Sequence, residues 1–158
     1  KMEMIIQKAV ELGAYEIVPV STKRAIVKLD AKKEASKLKR WQAIAEGAAK
    51  QSGRMMIPRI SEVKTFGEAL QIAKELDVNV IPYECARGMD GTREIFGSIK
   101  PGMSVGIFIG PEGGWEESEV EKAKELDVKP VTLGRRILRT ETAGLTTLSI
   151  LMYLLEES

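Results

Sequence analysis

The chain is 158 residues long, 44% apolar and 30% charged, and holds no uninterrupted apolar run near the roughly 20 residues that cross a bilayer, which fits one soluble domain. One cysteine, Cys85, rules out an internal disulfide, and the absence of histidine removes imidazole-based acid, base and nucleophile chemistry together with most zinc sites. Net charge is +1, yet residues 1–64 carry 14 Lys+Arg against 7 Asp+Glu while residues 65–158 carry 10 against 16, which suits either scattered solvated lysines or a face for a polyanion such as RNA.

In chain order, "MEMIIQKAVEL" sets Ile5, Ile6, Ala9, Val10 and Leu12 on one helical side and stops at Gly13. It lacks the continuous apolar stretch and cleavage site of a signal peptide, so a cytoplasmic location is expected. "EIVPVS" reads as a short strand. A helix over 33–53 turns Leu38, Trp41, Ala45, Ala48 and Ala49 inward and Lys37, Lys39, Arg40 and Lys50 outward, which places Trp41 in the core rather than on a base-stacking platform. "PRISEV" predicts a strand, 65–76 a helix with Thr65 and Glu68 in a capping-box pattern, and "VNVIPYE" a buried strand.

Residues 86–103 read as loop with one short helix near 93–96, and Cys85 as a small buried residue rather than a nucleophile. "SVGIFIG" is the strongest strand, and after a Gly-rich turn a helix over 116–126 opens with Glu116, Glu117 and Glu119 in its first turn. "PVTLG" predicts the last strand, and an irregular "RRILRTETAG" leads to a helix over 142–156. That helix carries two apolar stripes, Leu145-Leu148-Met152-Leu155 and Ile150-Tyr153-Leu154, and both demand burial. The alternation predicts an α/β domain with a mostly parallel sheet and helices on both faces, binding ligands beyond the carboxyl ends of its strands.

Two runs stand at such ends. In Gly110-Pro111-Glu112-Gly113-Gly114 the glycines serve either a tight strand-to-helix turn or a backbone that a flat ligand must approach closely. The run is neither a dinucleotide fingerprint nor a P-loop, and Glu112 would repel a phosphate. In "LGRRILRTETA" three arginines, two threonines and a glutamate flank two aliphatics. That run is either a helix start in which Thr140 caps and Glu141 or Arg139 forms a surface pair, or a ligand-wrapping loop whose arginines reach a polyanion. A third cluster, Glu46, Gln51, Ser52 and Arg54, lies in the basic half and also fits an ordinary helix end closing at Gly53.

"GPEGGW", "LGRRILRTETA" and the N-terminal "KMEMIIQKAVELG" pattern resemble the RsmE family of ribosomal RNA small-subunit methyltransferases, in the SPOUT superfamily, over essentially the whole chain. The resemblance implies an S-adenosylmethionine-dependent enzyme that methylates N3 of one uridine in 16S ribosomal RNA of the small ribosomal subunit. It also implies a homodimer and an α/β knot whose C-terminal segment is threaded as a trefoil, against the general rarity of knots. Carried over by position, Ile109, Gly110, Pro111, Glu112, Gly113 and Gly114 form one wall of the cofactor pocket. Leu133, Gly134, Ile137, Leu138, Arg139 and Thr140 form the other, and Glu84 borders it. A sulfonium cation suits glycine backbone, aliphatics and a carboxylate better than a phosphate would.

Arg54 and Arg139 are the expected stabilisers of a developing uracil anion, with Glu141 holding an arginine in place. Lys23, Arg24, Gln51 and Arg54 are the expected RNA contacts, and neither metal nor membrane is expected. The alternative is a module of the same fold that holds S-adenosylmethionine or RNA without turnover; an unrelated nucleotide-binding domain is disfavoured by the missing phosphate motifs. The family's small N-terminal β-rich RNA-binding domain has no counterpart in these residues, which open at Lys1-Met2-Glu3 where the catalytic domain begins. Low turnover is therefore expected of the 158 residues alone.

Overall fold

The computed structural model describes residues 1–22, 30–86 and 88–156. In chain order the elements are α1 Met2–Glu11, β1 Glu16–Ile17, β2 Val20–Ser21, α2 Ala31–Ser52, β3 Arg59–Ile60, β4 Lys64–Thr65, α3 Phe66–Ala73, β5 Val78–Pro82, α4 Met89–Gly97, β6 Val105–Ile107, α5 Glu117–Glu125, β7 Val128–Val131 and α6 Thr140–Leu155. Each of the four described strand pairings is parallel: β1 with β3, β2 with β4, and β5 flanked by β6 and β7. Among the described residues no helix is long and apolar enough to cross a membrane.

Local chemistry sets most of these boundaries. The Asp30 side chain accepts from the Lys33 N–H at 2.9 Å, so α2 begins ahead of the expected Lys33, and Gly53 ends it at φ +78°. The Thr65 hydroxyl accepts from the Glu68 N–H at 3.1 Å while the Glu68 carboxylate accepts from the Thr65 N–H at 2.9 Å, which is the capping box read from the sequence. The expected strand "EIVPVS" is split instead. Pro19 has no N–H to extend a ladder, and there the chain changes partner from β3 to β4. The Pro19 carbonyl accepts from Lys64 at 2.9 Å, which pins β4, a pair of polar residues with no strand signal of their own. The short helix expected near 93–96 starts earlier, at Met89, and Cys85 is exposed rather than buried because it sits in the turn beyond β5.

Alternation along β5 divides the core. Ile81 points to one face, where Phe66, Leu70, Val120, Ala123 and Val128 pack around it; Val80 points to the other, against Phe96, Ile99, Val131 and Leu151. Helices α3 and α5 therefore cover one face and α4 and α6 the opposite one, as the element order predicts. Burying each of these large aliphatics contributes about 1.5–3 kcal/mol. A third cluster joins α1, α2 and β3, where Ala45, Ala48 and Ala49 let α1 lie close, and Trp41 packs at its edge.

Candidate active site

With β5 between β6 and β7, the chain leaves three adjacent parallel strands at one edge of the sheet, and the loops that follow them converge there. They enclose a cleft of about 500 Å³. Glu84 comes from the loop after β5; Ile109, Gly110, Pro111, Glu112, Gly113 and Gly114 come from the loop after β6. The loop after β7 supplies Leu133, Gly134, Ile137, Leu138, Arg139 and Thr140. The structure thus brings together every residue expected at the cofactor wall.

Backbone needs explain the glycines. Gly114 sits at φ +76° and closes a turn through its N–H to the Pro111 carbonyl at 2.8 Å, and Gly134 sits at φ +125°. Gly110 lies flat against an indole: a Cβ there would stand 3.2 Å from Trp115 Cε2 and Nε1. On α6, Gly144 faces Ile109, and a Cβ there would make ordinary van der Waals contact with Ile109 Cγ1 at 3.4 Å.

The walls differ in charge. Lys1 reaches the rim from the start of α1, with Nζ 3.0 Å from Glu112 Oε1 and 3.6 Å from Glu141 Oε2. The Glu112 carboxyl is held below its ordinary value of 4.5, first by its own backbone N–H and then by Lys1. Glu141 is lowered in the same sense, again first by its own N–H, while the hydrogen bond to Glu112 raises the Lys1 ammonium. A lowered carboxyl stays ionised above 4.5, so both acids are anionic throughout the neutral range. In the loop after β7, the exposed Arg135, Arg136 and Arg139 have no side-chain ion pair among the described residues, and Ile137 is 80% exposed between them.

Three expected roles are corrected. Glu141 holds Lys1 and accepts from the Thr140 hydroxyl at 3.2 Å rather than holding an arginine. The α6 cap is Arg139, not Thr140, and it makes no side-chain capping bond. Arg54 does not line the cleft. Its Nη1 donates to the carbonyls of Val10 at 3.1 Å and Ala14 at 2.6 Å, clasping the C-terminal end of α1. Gln51 and Ser52 are exposed at the end of α2, Glu46 pairs with Lys50 at 3.3 Å, and Lys23 and Arg24 lie outside the described residues. Arg54→Ala is accordingly expected to lower stability by about 1–2 kcal/mol in urea unfolding, through the loss of its two hydrogen bonds to the Val10 and Ala14 carbonyls, with ligand affinity at the cleft unchanged.

Several lining residues escaped the sequence reading: Lys1, Tyr83, Trp115 and Thr132. Trp115 is 6% exposed, packs against Phe66 with ring centroids 5.1 Å apart, and buries an indole Nε1 that has no hydrogen-bond partner among the described residues. Its place directly after Gly113-Gly114 was the available signal.

Comparison with known proteins agrees with this geometry. The model of a family described as RNA methyltransferase domain matches residues 1–152. Ribosomal RNA small subunit methyltransferase E of Bacillus subtilis is 44% identical over 156 residues, which covers 97% of this chain and 61% of that protein. A crystal structure described as a hypothetical protein superposes with a TM-score of 0.90 at 44% identity, covering 98% of this chain and 61% of the other. The ribosomal RNA small subunit methyltransferase E of Neisseria gonorrhoeae, bound to S-adenosyl methionine, gives a TM-score of 0.80 at 34% identity, covering 98% and 61%. The chain therefore spans about three fifths of the length of these relatives, and it belongs to the RNA methyltransferase domain family.

Proposed function

We propose that the cleft binds S-adenosylmethionine and that the chain is the catalytic part of a cytoplasmic methyltransferase acting on N3 of a uridine in 16S ribosomal RNA. The observation that carries this reading is the composition of the cleft: glycine backbone and aliphatic walls, with the Lys1–Glu112 ion pair on one side and, on the other, arginines that form no side-chain ion pair among the described residues. Its volume of about 500 Å³ lies within the ~300–1,000 Å³ of small-molecule sites. The residues fit this cofactor. Glycine backbone lets it approach closely, Ile109, Leu133 and Leu138 suit its flat base, and the buried Trp115 Nε1–H has no hydrogen-bond acceptor among the described residues.

When bound, the cofactor supplies an activated methyl group. The protein's own residues orient and neutralise. Uracil N3 must give up its proton to accept a methyl, and the ring carries negative charge as that proton leaves; Arg139, at the cleft and without a carboxylate partner among the described residues, is placed to stabilise it. Because the sequence has no histidine, carboxylates and solvent are the available proton acceptors. Arg135 and Arg136 meet the phosphate backbone, and Ile137 faces a target presented out of its stack. Lys23, Arg24 and Gln51 in the basic half are further RNA contacts. Arg135, Arg136 and Arg139, which form no side-chain ion pair among the described residues, favour an enzyme over a module that only binds.

The same reading, through the resemblance to the RsmE family, assigns the C-terminal segment to a trefoil knot. It also assigns a homodimer. The α6 side chains Tyr153 (86% exposed), Leu154 and Met152 stay open, and Tyr153 and Leu154, with Met4, Leu145 and Ile150, line a shallow apolar groove that a second copy would cover. Tyr153→Glu with Leu154→Glu is expected to leave a folded monomer by light scattering; an unchanged mass would remove α6 from the contact.

The direct test offers radiolabelled S-adenosylmethionine and unmethylated small subunits to the chain and maps the label. Label at uracil N3, at a low rate for these residues alone, is the expected outcome. Cofactor binding with no label on any RNA would favour the binding module.

A further inference from the structure

The loop that forms one wall of the cleft is tied down from outside by a residue forty positions away. β7 is an edge strand, paired on one side with β5, and its open edge faces α4. At its end, Thr132 presents a backbone N–H and C=O with no strand beside them among the described residues. The Thr92 hydroxyl from α4 fills that place: it accepts from the Thr132 N–H at 3.0 Å and donates to the Thr132 carbonyl at 3.0 Å. One hydroxyl has one proton to give, so both directions of bonding are used.

A second hydroxyl repeats the arrangement one step on. Thr132 Oγ1 donates to the Gly134 carbonyl at 3.0 Å and accepts from the Gly134 N–H at 3.3 Å. These bonds hold the loop across Gly134, whose backbone stands at φ +125°, just ahead of the arginine run. Thr92 is only 5% exposed and does not line the cleft, so water cannot readily replace it.

We propose that Thr92 is a positioning residue: through Thr132 it fixes where the cleft loop leaves β7 and so sets the affinity of the cleft for its cofactor. The part of this inference that concerns affinity rests on the proposed cofactor. Binding energy is lost when a wall must be ordered on contact, so a pre-set loop favours the bound geometry.

The test compares Thr92→Val, which keeps the shape and removes the hydroxyl, with Thr92→Ser, which keeps the hydroxyl. Amide hydrogen exchange and calorimetric titration of S-adenosylmethionine are measured on each. In Thr92→Val the Thr132 and Gly134 amides are expected to exchange at least about tenfold faster, with Ile81 in β5 unchanged, and cofactor affinity to fall about tenfold, the equivalent of one lost buried hydrogen bond. Thr92→Ser should restore both. Equal acceleration at Ile81, affinity within twofold of the parent, or failure of Thr92→Ser to rescue would overturn the inference. If the parent chain does not bind the cofactor, the proposed function fails, while the exchange measurement still decides whether Thr92 holds the loop.

Discussion

Gly134→Val is expected to weaken S-adenosylmethionine binding about hundredfold while leaving the melting temperature within a few degrees. At φ +125° a β-branched side chain is strained whatever space surrounds it, and an ideal Cβ at this position meets nothing within 4 Å. The cost is therefore one of backbone conformation and not of core packing. Strain of this kind reaches about 3 kcal/mol, equivalent to about a hundredfold in affinity when it is relieved by moving the loop out of its binding geometry. Gly53→Ala is the control. Gly53 also has positive φ, +78°, but it caps α2 away from the cleft, so its substitution is expected to cost stability and leave affinity alone. Loss of affinity in both variants, or in neither, would separate the cleft loop from cofactor binding.

Gly106→Ala is expected to destabilise the domain by about 3–5 kcal/mol, a large share of the ~5–15 kcal/mol that typical domains possess. Gly106 lies in β6 beside β5, paired with Asn79. A Cβ there would overlap Asn79 Oδ1 and stand 2.9 Å from Leu76 Cδ1. Asn79 is buried and its Nδ2 donates to the Ala73 carbonyl at the end of α3 at 2.7 Å, so it cannot retreat without breaking that bond. Overpacking contributes about 1–3 kcal/mol and the lost buried hydrogen bond a further ~1–3 kcal/mol. Urea unfolding measures the sum. Adding Asn79→Ala should recover part of the loss, because it removes the atom that collides; a double variant no more stable than Gly106→Ala would place the cost elsewhere.

What could be read from the sequence was what local chemistry decides. The capping box at Thr65 and Glu68, the glycine stop at Gly53 and the two Gly-containing loops are each fixed by residues within a few positions. Strand–helix alternation was then enough to place both loops at one edge of the sheet. What escaped depends on distant partners. Arg54 looked like a cleft residue because an arginine beside Gln51 had no local use, and its use lies forty residues back, in the carbonyls of Val10 and Ala14. Glu141 was matched to the arginines around it, although its cation is Lys1, at the far end of the chain. Cys85 was expected to be buried from its place after an apolar strand, but β5 ends at Pro82 and the turn beyond it faces solvent. The link between Thr92 and Thr132 carried no sequence signal, since a threonine within an amphipathic helix looks like any other.

Calorimetric titration of S-adenosylmethionine into the purified chain, with folding confirmed by circular dichroism, tests the central claim most directly. Saturable binding near one site per chain, lost in Gly134→Val, is the expected result. A folded chain that shows no saturable uptake of the cofactor would contradict it.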